Sequence, residues 1–144
     1  MTMPIKHAGE LMLKASDILN ASILVVDDQE ANVMLLDQML RNEGYTNITT
    51  TQFPREVEAL HEAHRFDLSL LDLQMPEMDG FEVIEALKGI ETGGYLPVLV
   101  ITAQPGHKLR ALKAGAKDFV SKPFDLVEVQ TRIHNMLEVR LLYR

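Results

Sequence analysis

Residues Leu68–Val83 read LSLLDLQMPEMDGFEV, and this stretch decides the architecture. Apolar or small residues at Leu68–Leu71 lead straight into one acid, Asp72, with Pro76 and Gly80 following closely. An apolar run of this length, bounded by turn residues, predicts a strand buried on both faces. Asp72 then stands at its C-terminal end. A charged side chain is seldom buried without partners, so Asp72 requires either an open sheet edge or partners from elsewhere in the chain.

Moving outward, Ser22–Val26 (SILVV) is a second buried strand, ending in Asp27 and Asp28. Pro97–Thr102 (PVLVIT) ends in a hydroxyl, and Lys117–Ser121 (KDFVS) ends at Lys122-Pro123. Thr46–Thr51 (TNITTT) is strand-like but polar, which predicts an outer strand. Helical spacing fills the gaps. Glu30–Arg41 carries Val33, Leu36, Met39 and Leu40, with Gly44 placed to stop it. Pro54 opens a helix through His64. Asp79 and Glu82 have the spacing of a capping box for a helix to Ile90, and Asp125 and Glu128 repeat that spacing for the last helix. The last helix has apolar positions at Leu126, Val129, Ile133, Met136 or Leu137, and Leu141. Between them, Gly106–Ala114 is a helix stopped by Gly115. Five strands alternating with helices predict an α/β fold, a doubly wound parallel sheet with helices on both faces and right-handed crossovers. In such folds ligands sit beyond the C-terminal strand ends, where Asp27, Asp28, Asp72, Thr102 and Lys122 converge.

Composition narrows the function. The 144-residue chain is 47% hydrophobic, enough for one packed core. With no cysteine, disulfides and thiolate metal sites are excluded. A formal charge of −7 argues against a nucleic-acid binder. No apolar run approaches the ~20 residues that cross a bilayer, and residues 1–21 lack the apolar segment of a secretory signal. Together these predict a soluble cytoplasmic protein with no direct nucleic-acid or membrane partner.

Three carboxylates in one crevice repel, by about 4 kcal/mol per pair at 4 Å and an effective dielectric of 20. A hard divalent cation with oxygen ligands, most simply Mg²⁺ with Mn²⁺ as substitute, relieves this. Lys122 adds a second positive charge and Thr102 a hydroxyl donor. A carboxylate in such company can attack phosphorus to give an aspartyl phosphate. The product's added charge, close to two units, is large enough to bias a bistable element.

With VVDD at Val25–Asp28, LLDLQMPEMDG at Leu70–Gly80, ITA at Ile101–Ala103 and SKPF at Ser121–Phe124, the chain from about Ser22 to Leu137 resembles the receiver domain of a two-component response regulator, of the CheY-like superfamily. The resemblance implies a flavodoxin-like (βα)5 sheet of order 2-1-3-4-5. It also implies Asp72 as phosphoacceptor and Mg²⁺ ligand, Asp28 as direct Mg²⁺ ligand, Asp27 mostly through water, and the backbone carbonyl of Gln74 as a further ligand. Thr102 and Ala103 would contact the phosphoryl group, Lys122 would pair with it, and the Lys122–Pro123 bond would be cis. Phe119 falls at the aromatic switch position. Gln74 and Gln104 fall at the two positions that tune dephosphorylation. The phosphodonor would be a histidine kinase or a histidine phosphotransfer protein. The switched element would be the fourth helix of that domain, Gly106–Ala114, with its adjacent loop; Pro105-Gly106 either restricts that loop or merely starts the helix. The chain would catalyse only its own phosphorylation and dephosphorylation rather than act as an enzyme on other substrates.

Other readings fit less well. A phosphatase of the haloacid-dehalogenase type needs a second acid two residues after the nucleophile, where this chain has Gln74. A flavodoxin-like FMN carrier needs a phosphate-cradling loop after the first strand, where Asp27-Asp28-Gln29-Glu30 would repel phosphate. A receiver-like module that is not phosphorylated would lack one of the five key residues. His61, His64, His107 and His134 are expected to be surface residues. Residues 1–21 are expected to form an extension with a short amphipathic helix over Glu10–Leu19, either docked loosely or used for dimerisation. Residues 22–137 are the expected receiver. Residues 138–144 prolong the last helix, with Leu137, Leu141 and Leu142 on one stripe. They would lead to a missing output domain, or else the receiver signals through a separate effector protein; a homodimer through the last two helices and the fifth strand is a further expectation.

Overall fold

The computed structural model describes residues 15–73, 80–91, 96–103 and 105–142. Within these, the chain runs α1 (Ala15–Leu19), β1 (Ile23–Val26), α2 (Glu30–Asn42), β2 (Ile48–Thr51), α3 (Val57–His64, after a 3₁₀ turn at Pro54–Glu56), β3 (Leu68–Leu71), α4 (Gly80–Ile90), β4 (Val98–Thr102), α5 (Lys108–Ala114, after a 3₁₀ turn at Pro105–His107), β5 (Asp118–Ser121) and α6 (Leu126–Leu142). The five strands form one parallel sheet of order β2-β1-β3-β4-β5. The polar Thr49–Thr51 run lies in the edge strand β2, as its composition requires.

Strand residues divide between two cores by the period of two. Ile23, Val25, Leu68, Leu70, Leu99, Ile101 and Val120 face α1, α2 and α6. Leu24, Val26, Leu71, Val98, Val100 and Phe119 face α3, α4 and α5. β1, β3 and β4 are buried on both faces, which is why their sequences read as runs of apolar residues broken only by the small Ser69 and the terminal Thr102. Ile18 of α1 is buried in the first core and Leu19 packs against it, so the last turn of that helix belongs to the packed body.

Helix ends follow local chemistry. Gly44 and Gly115 adopt φ of 103° and 124°, a conformation that favours glycine, as α2 and α5 stop. At the start of α6, the Val127 N–H donates to Asp125 Oδ1 at 2.8 Å. Glu128 does not complete the expected box; its carboxylate accepts from Arg132 Nε at 3.3 Å instead. In that helix Val129, Ile133, Met136 and Leu137 are buried, whereas Leu126 and Leu142 lie exposed off the expected stripe. The Asp79 half of the other capping box lies outside the described residues.

The histidines depart further from expectation. His61 is not a surface residue: it is 1% exposed, its Nε2 engages the Glu91 carboxylate, and its ring lies 6.0 Å from that of Phe66. His107 is half-buried as well, while His64 and His134 are exposed as expected. Isolated helical spacing could not reveal this, because the acid that His61 meets comes from the end of α4. The Arg140 guanidinium from α6 approaches the same spot, with Nη2 3.8 Å from Glu91 and Nε 3.9 Å from Asp67. Asp67 in turn accepts from the Ser22 N–H at 3.0 Å. This network ties α6 beneath the N-terminal strand ends to α3 and α4. Arg140→Ala leaves two largely buried acids without that cation and is expected to cost about 1–3 kcal/mol, measurable by urea unfolding.

Candidate functional site

The site assembles at the C-terminal strand ends. The Asp72 N–H donates to the Val26 carbonyl at 3.1 Å, and the Lys122 N–H donates to the Thr102 carbonyl at 2.8 Å. These backbone bonds carry the ladder one step past the strands, which fixes Asp72 beside β1 and Lys122 beside β4. Asp27, Asp28 and Asp72 each present a carboxylate oxygen within 4.8 Å of the other two. Asp27 and Asp72 are buried, and Asp28 is half-buried. Asp27 Oδ1 accepts the Gln29 N–H at 2.9 Å, which turns the carboxylate and opens α2.

Lys122 bridges the acids. Its Nζ lies 3.1 Å from Asp27 Oδ2 and 3.3 Å from Asp72 Oδ2. Burial alone pushes the ammonium down, but the charges and hydrogen bonds of Asp27 and Asp72 together more than reverse this and hold it above the ordinary lysine value. The lysine therefore stays charged across the neutral range. Its stabilising attraction is present in full below pH 10.5 and is lost only as pH rises above that value. Among the described residues, one lysine set against the three clustered acids leaves the crevice short of positive charge. The donor set is all oxygen, with no cysteine in the chain and no histidine among the clustered ligands, and it suits Mg²⁺.

The other expected residues fall around this core. Thr102, fully buried, ends β4; since Leu71 pairs with Val100, Thr102 lies two residues further toward the strand ends. Ala103 follows it and is exposed. Phe119 pairs with Val100, shares the Thr102 face by strand alternation, and is 6% exposed, pointing into the second core. The Lys122–Pro123 bond is cis. Gln74 and Gln104 lie outside the described residues.

Gly80 holds the start of α4 against the site. A Cβ there would sit 2.5 Å from Leu73 Cα and 2.9 Å from the Asp72 carbonyl oxygen, both backbone atoms that cannot swing away. Glycine to alanine at a helix position ordinarily gains up to about 1 kcal/mol. Here the backbone collision wins, and Gly80→Ala is expected to destabilise by about 1–3 kcal/mol, read as a lower thermal midpoint.

Residues 23–134 match the family model described as "Response regulator receiver domain". The chain belongs to the response regulator receiver domain family. Among its relatives, the response regulator PleD of Caulobacter vibrioides is 40% identical over 126 residues, which is 86% of this chain and 28% of PleD. The alkaline phosphatase synthesis transcriptional regulatory protein PhoP of Bacillus subtilis is 36% identical over 83% of this chain and 49% of its own length. The chain thus spans about half or less of these curated relatives. Among solved structures, the receiver domain of the sensor histidine kinase PA1611 from Pseudomonas aeruginosa PAO1, which has a magnesium ion coordinated in its active site cleft, superposes with a TM-score of 0.74 at 28% identity. That match covers 82% of this chain and 98% of the other. The chemotaxis protein CheY4 of Vibrio cholerae gives the same TM-score and identity over 81% of this chain and 98% of CheY4. The expected receiver fold and its sheet order hold. Among the described residues no helix is long and apolar enough to cross a membrane.

Sequence reading missed two features of this end of the molecule. One is that a single lysine contacts both buried acids. The other is a cluster of Phe81, His107 and Arg110 beside the site. The first is set by distance between strand ends, and the second by the approach of two helices, so neither leaves a local pattern in the chain.

Proposed function

We propose that Asp72 accepts a phosphoryl group from a phosphohistidine on a histidine kinase or histidine phosphotransfer protein. The observation that carries this reading is the convergence of Asp27, Asp28 and Asp72 with Lys122 on two of them. An Asp72 Oδ attacks phosphorus; a P–O bond forms, the donor's P–N bond breaks, and the departing imidazole takes a proton. Asp28, Asp72, Asp27 through water and the Gln74 carbonyl would hold Mg²⁺, with Mn²⁺ the substitute of like ligand preference. When bound, the ion supplies charge neutralisation for the transferring group. Lys122, already held at Asp72, pairs with one phosphoryl oxygen. The Thr102 hydroxyl and the Ala103 backbone hold others, and Phe119, on the same strand face, follows Thr102 inward. Gln74 and Gln104 set how readily water reverses the modification.

In this reading residues 22–137 are the receiver, 1–21 an N-terminal extension, and 138–144 an extension of the last helix. The protein works in the cytoplasm, modifies only itself, and signals through an effector protein, an appended output domain, or a homodimer. Incubation with Mg²⁺ and acetyl phosphate, followed by intact-mass measurement, tests the reading. A gain of one phosphoryl mass that EDTA abolishes is expected. No gain at saturating Mg²⁺, or a gain indifferent to EDTA, would overturn it.

A further inference from the structure

The helix that leaves the site after Thr102 is weakly anchored. Within α5 only Ala111 is buried, and Ala114 packs partly against the same core. Leu109 and Leu112 are 63% and 38% exposed. A two-turn helix holding so little apolar surface has little to fix its position.

What it does hold is Phe81. The Arg110 guanidinium lies 3.8 Å from the centre of the Phe81 ring, and the His107 ring meets the same ring edge-on at 5.5 Å and 72°. Phe81 is 7% exposed, and it follows Gly80, where an added Cβ would meet the backbone of Leu73 and Asp72. The ring is thus an extension of the strand end that carries Asp72. His107 and Arg110 lie five and eight residues after Thr102. The contact joins the two segments that leave Asp72 and Thr102, outside the acidic crevice.

We propose that Phe81, Arg110 and His107 form a latch that holds α5 in its resting position, and that occupation of Asp72 works against this latch. The inference rests on the phosphoacceptor reading of Asp72. Phe81 and Arg110 would act through the position of α5 and are positioning residues. A cation over an aromatic ring at an exposed site is worth about 0.5–1 kcal/mol, which converts to about two- to fivefold in an equilibrium. A ligand that binds only the released arrangement binds tighter by the same factor once the latch is gone.

Arg110→Met keeps the aliphatic stem and removes the cation; because Arg110 is exposed, the fold is expected to survive. Hydrogen exchange and beryllofluoride titration with Mg²⁺ read the two halves of the proposal. In Arg110→Met, amides of Lys108–Ala114 are expected to exchange about two- to fivefold faster without ligand, while β1 amides are unchanged. The beryllofluoride concentration at half-saturation is expected to fall by a similar factor. Arg110→Lys, which restores a cation, should return both readouts toward wild type. Wild-type exchange and affinity in Arg110→Met, or an Arg110→Lys variant that behaves like Arg110→Met, would overturn the latch. Failure of the wild-type protein to bind beryllofluoride would instead overturn the Asp72 reading, with helix anchoring still decided by exchange in the free protein.

Discussion

Asp72→Asn is expected to take up no phosphoryl group under conditions that modify the wild-type chain, and to be no less stable for the change. The first outcome follows from chemistry. An amide matches the carboxylate in shape but is a far poorer nucleophile, and no anionic oxygen is left at the end of β3. The second follows from electrostatics. Asp72 lies within 4.8 Å of both Asp27 and Asp28, so it takes part in two repulsions of about 3 kcal/mol each at an effective dielectric of 20. Lys122, at 3.3 Å from Asp72, returns about 5 kcal/mol on the same scale and retains Asp27 at 3.1 Å after the substitution. The two effects nearly cancel, with relief of repulsion slightly ahead, and a rise in thermal midpoint of about 2–5 °C without Mg²⁺ is the expected sign. Mg²⁺ should then stabilise the variant less than it stabilises wild type, because one ligand has lost its charge. Intact mass and thermal unfolding with and without Mg²⁺ read all three outcomes. An undiminished adduct would move the nucleophile to another residue. A large drop in midpoint would mean that the three acids do not strain the crevice.

Why the site was so legible while other parts were not is a matter of what enforces each pattern. β1, β3 and β4 are covered on both sides, so Ile23–Val26, Leu68–Leu71 and Val98–Ile101 are apolar or small, and the polar or charged residues Asp27, Asp72 and Thr102 mark the strand ends. A parallel sheet brings those ends together by construction. Asp27, Asp72, Thr102 and Lys122 could therefore be placed in one crevice before any distance was known. His61 had no such rule. Its burial depends on Glu91, thirty residues away at the end of another helix. The exposure of Leu126 and Leu142 likewise reflects where α6 passes the sheet, and their helical spacing is silent on this. The Phe81 latch depends on the approach of α4 and α5. Residues whose environment is set by one element's own period were readable, and those set by the meeting of two elements were not.

Lys122→Met tests the other half of the charge balance, and here the expected effect on stability is large. The methionine fills similar space but takes from Asp27 and Asp72, whose side chains are 3% and 7% exposed, the ammonium that touches both. Breaking a buried pair by removing one partner costs about 3–5 kcal/mol. Lys122 is itself 19% exposed and the crevice opens to water at Asp28, so about 2–4 kcal/mol is expected after discounting for solvent screening. The response to Mg²⁺ should move the opposite way to that of Asp72→Asn. With the ammonium gone, a divalent ion meets the three acids without competition from Lys122, so saturating Mg²⁺ should recover more stability in Lys122→Met than it adds to wild type. Yet recovery of the fold should not recover the chemistry, because the side chain that pairs with the phosphoryl oxygen at Asp72 in the proposed reading is gone, and adduct formation from acetyl phosphate should stay well below wild type. Urea unfolding at graded Mg²⁺, alongside intact mass, separates these outcomes. A variant as stable as wild type without Mg²⁺, with the same Mg²⁺ increment, would show that Lys122 does not neutralise the acids it touches.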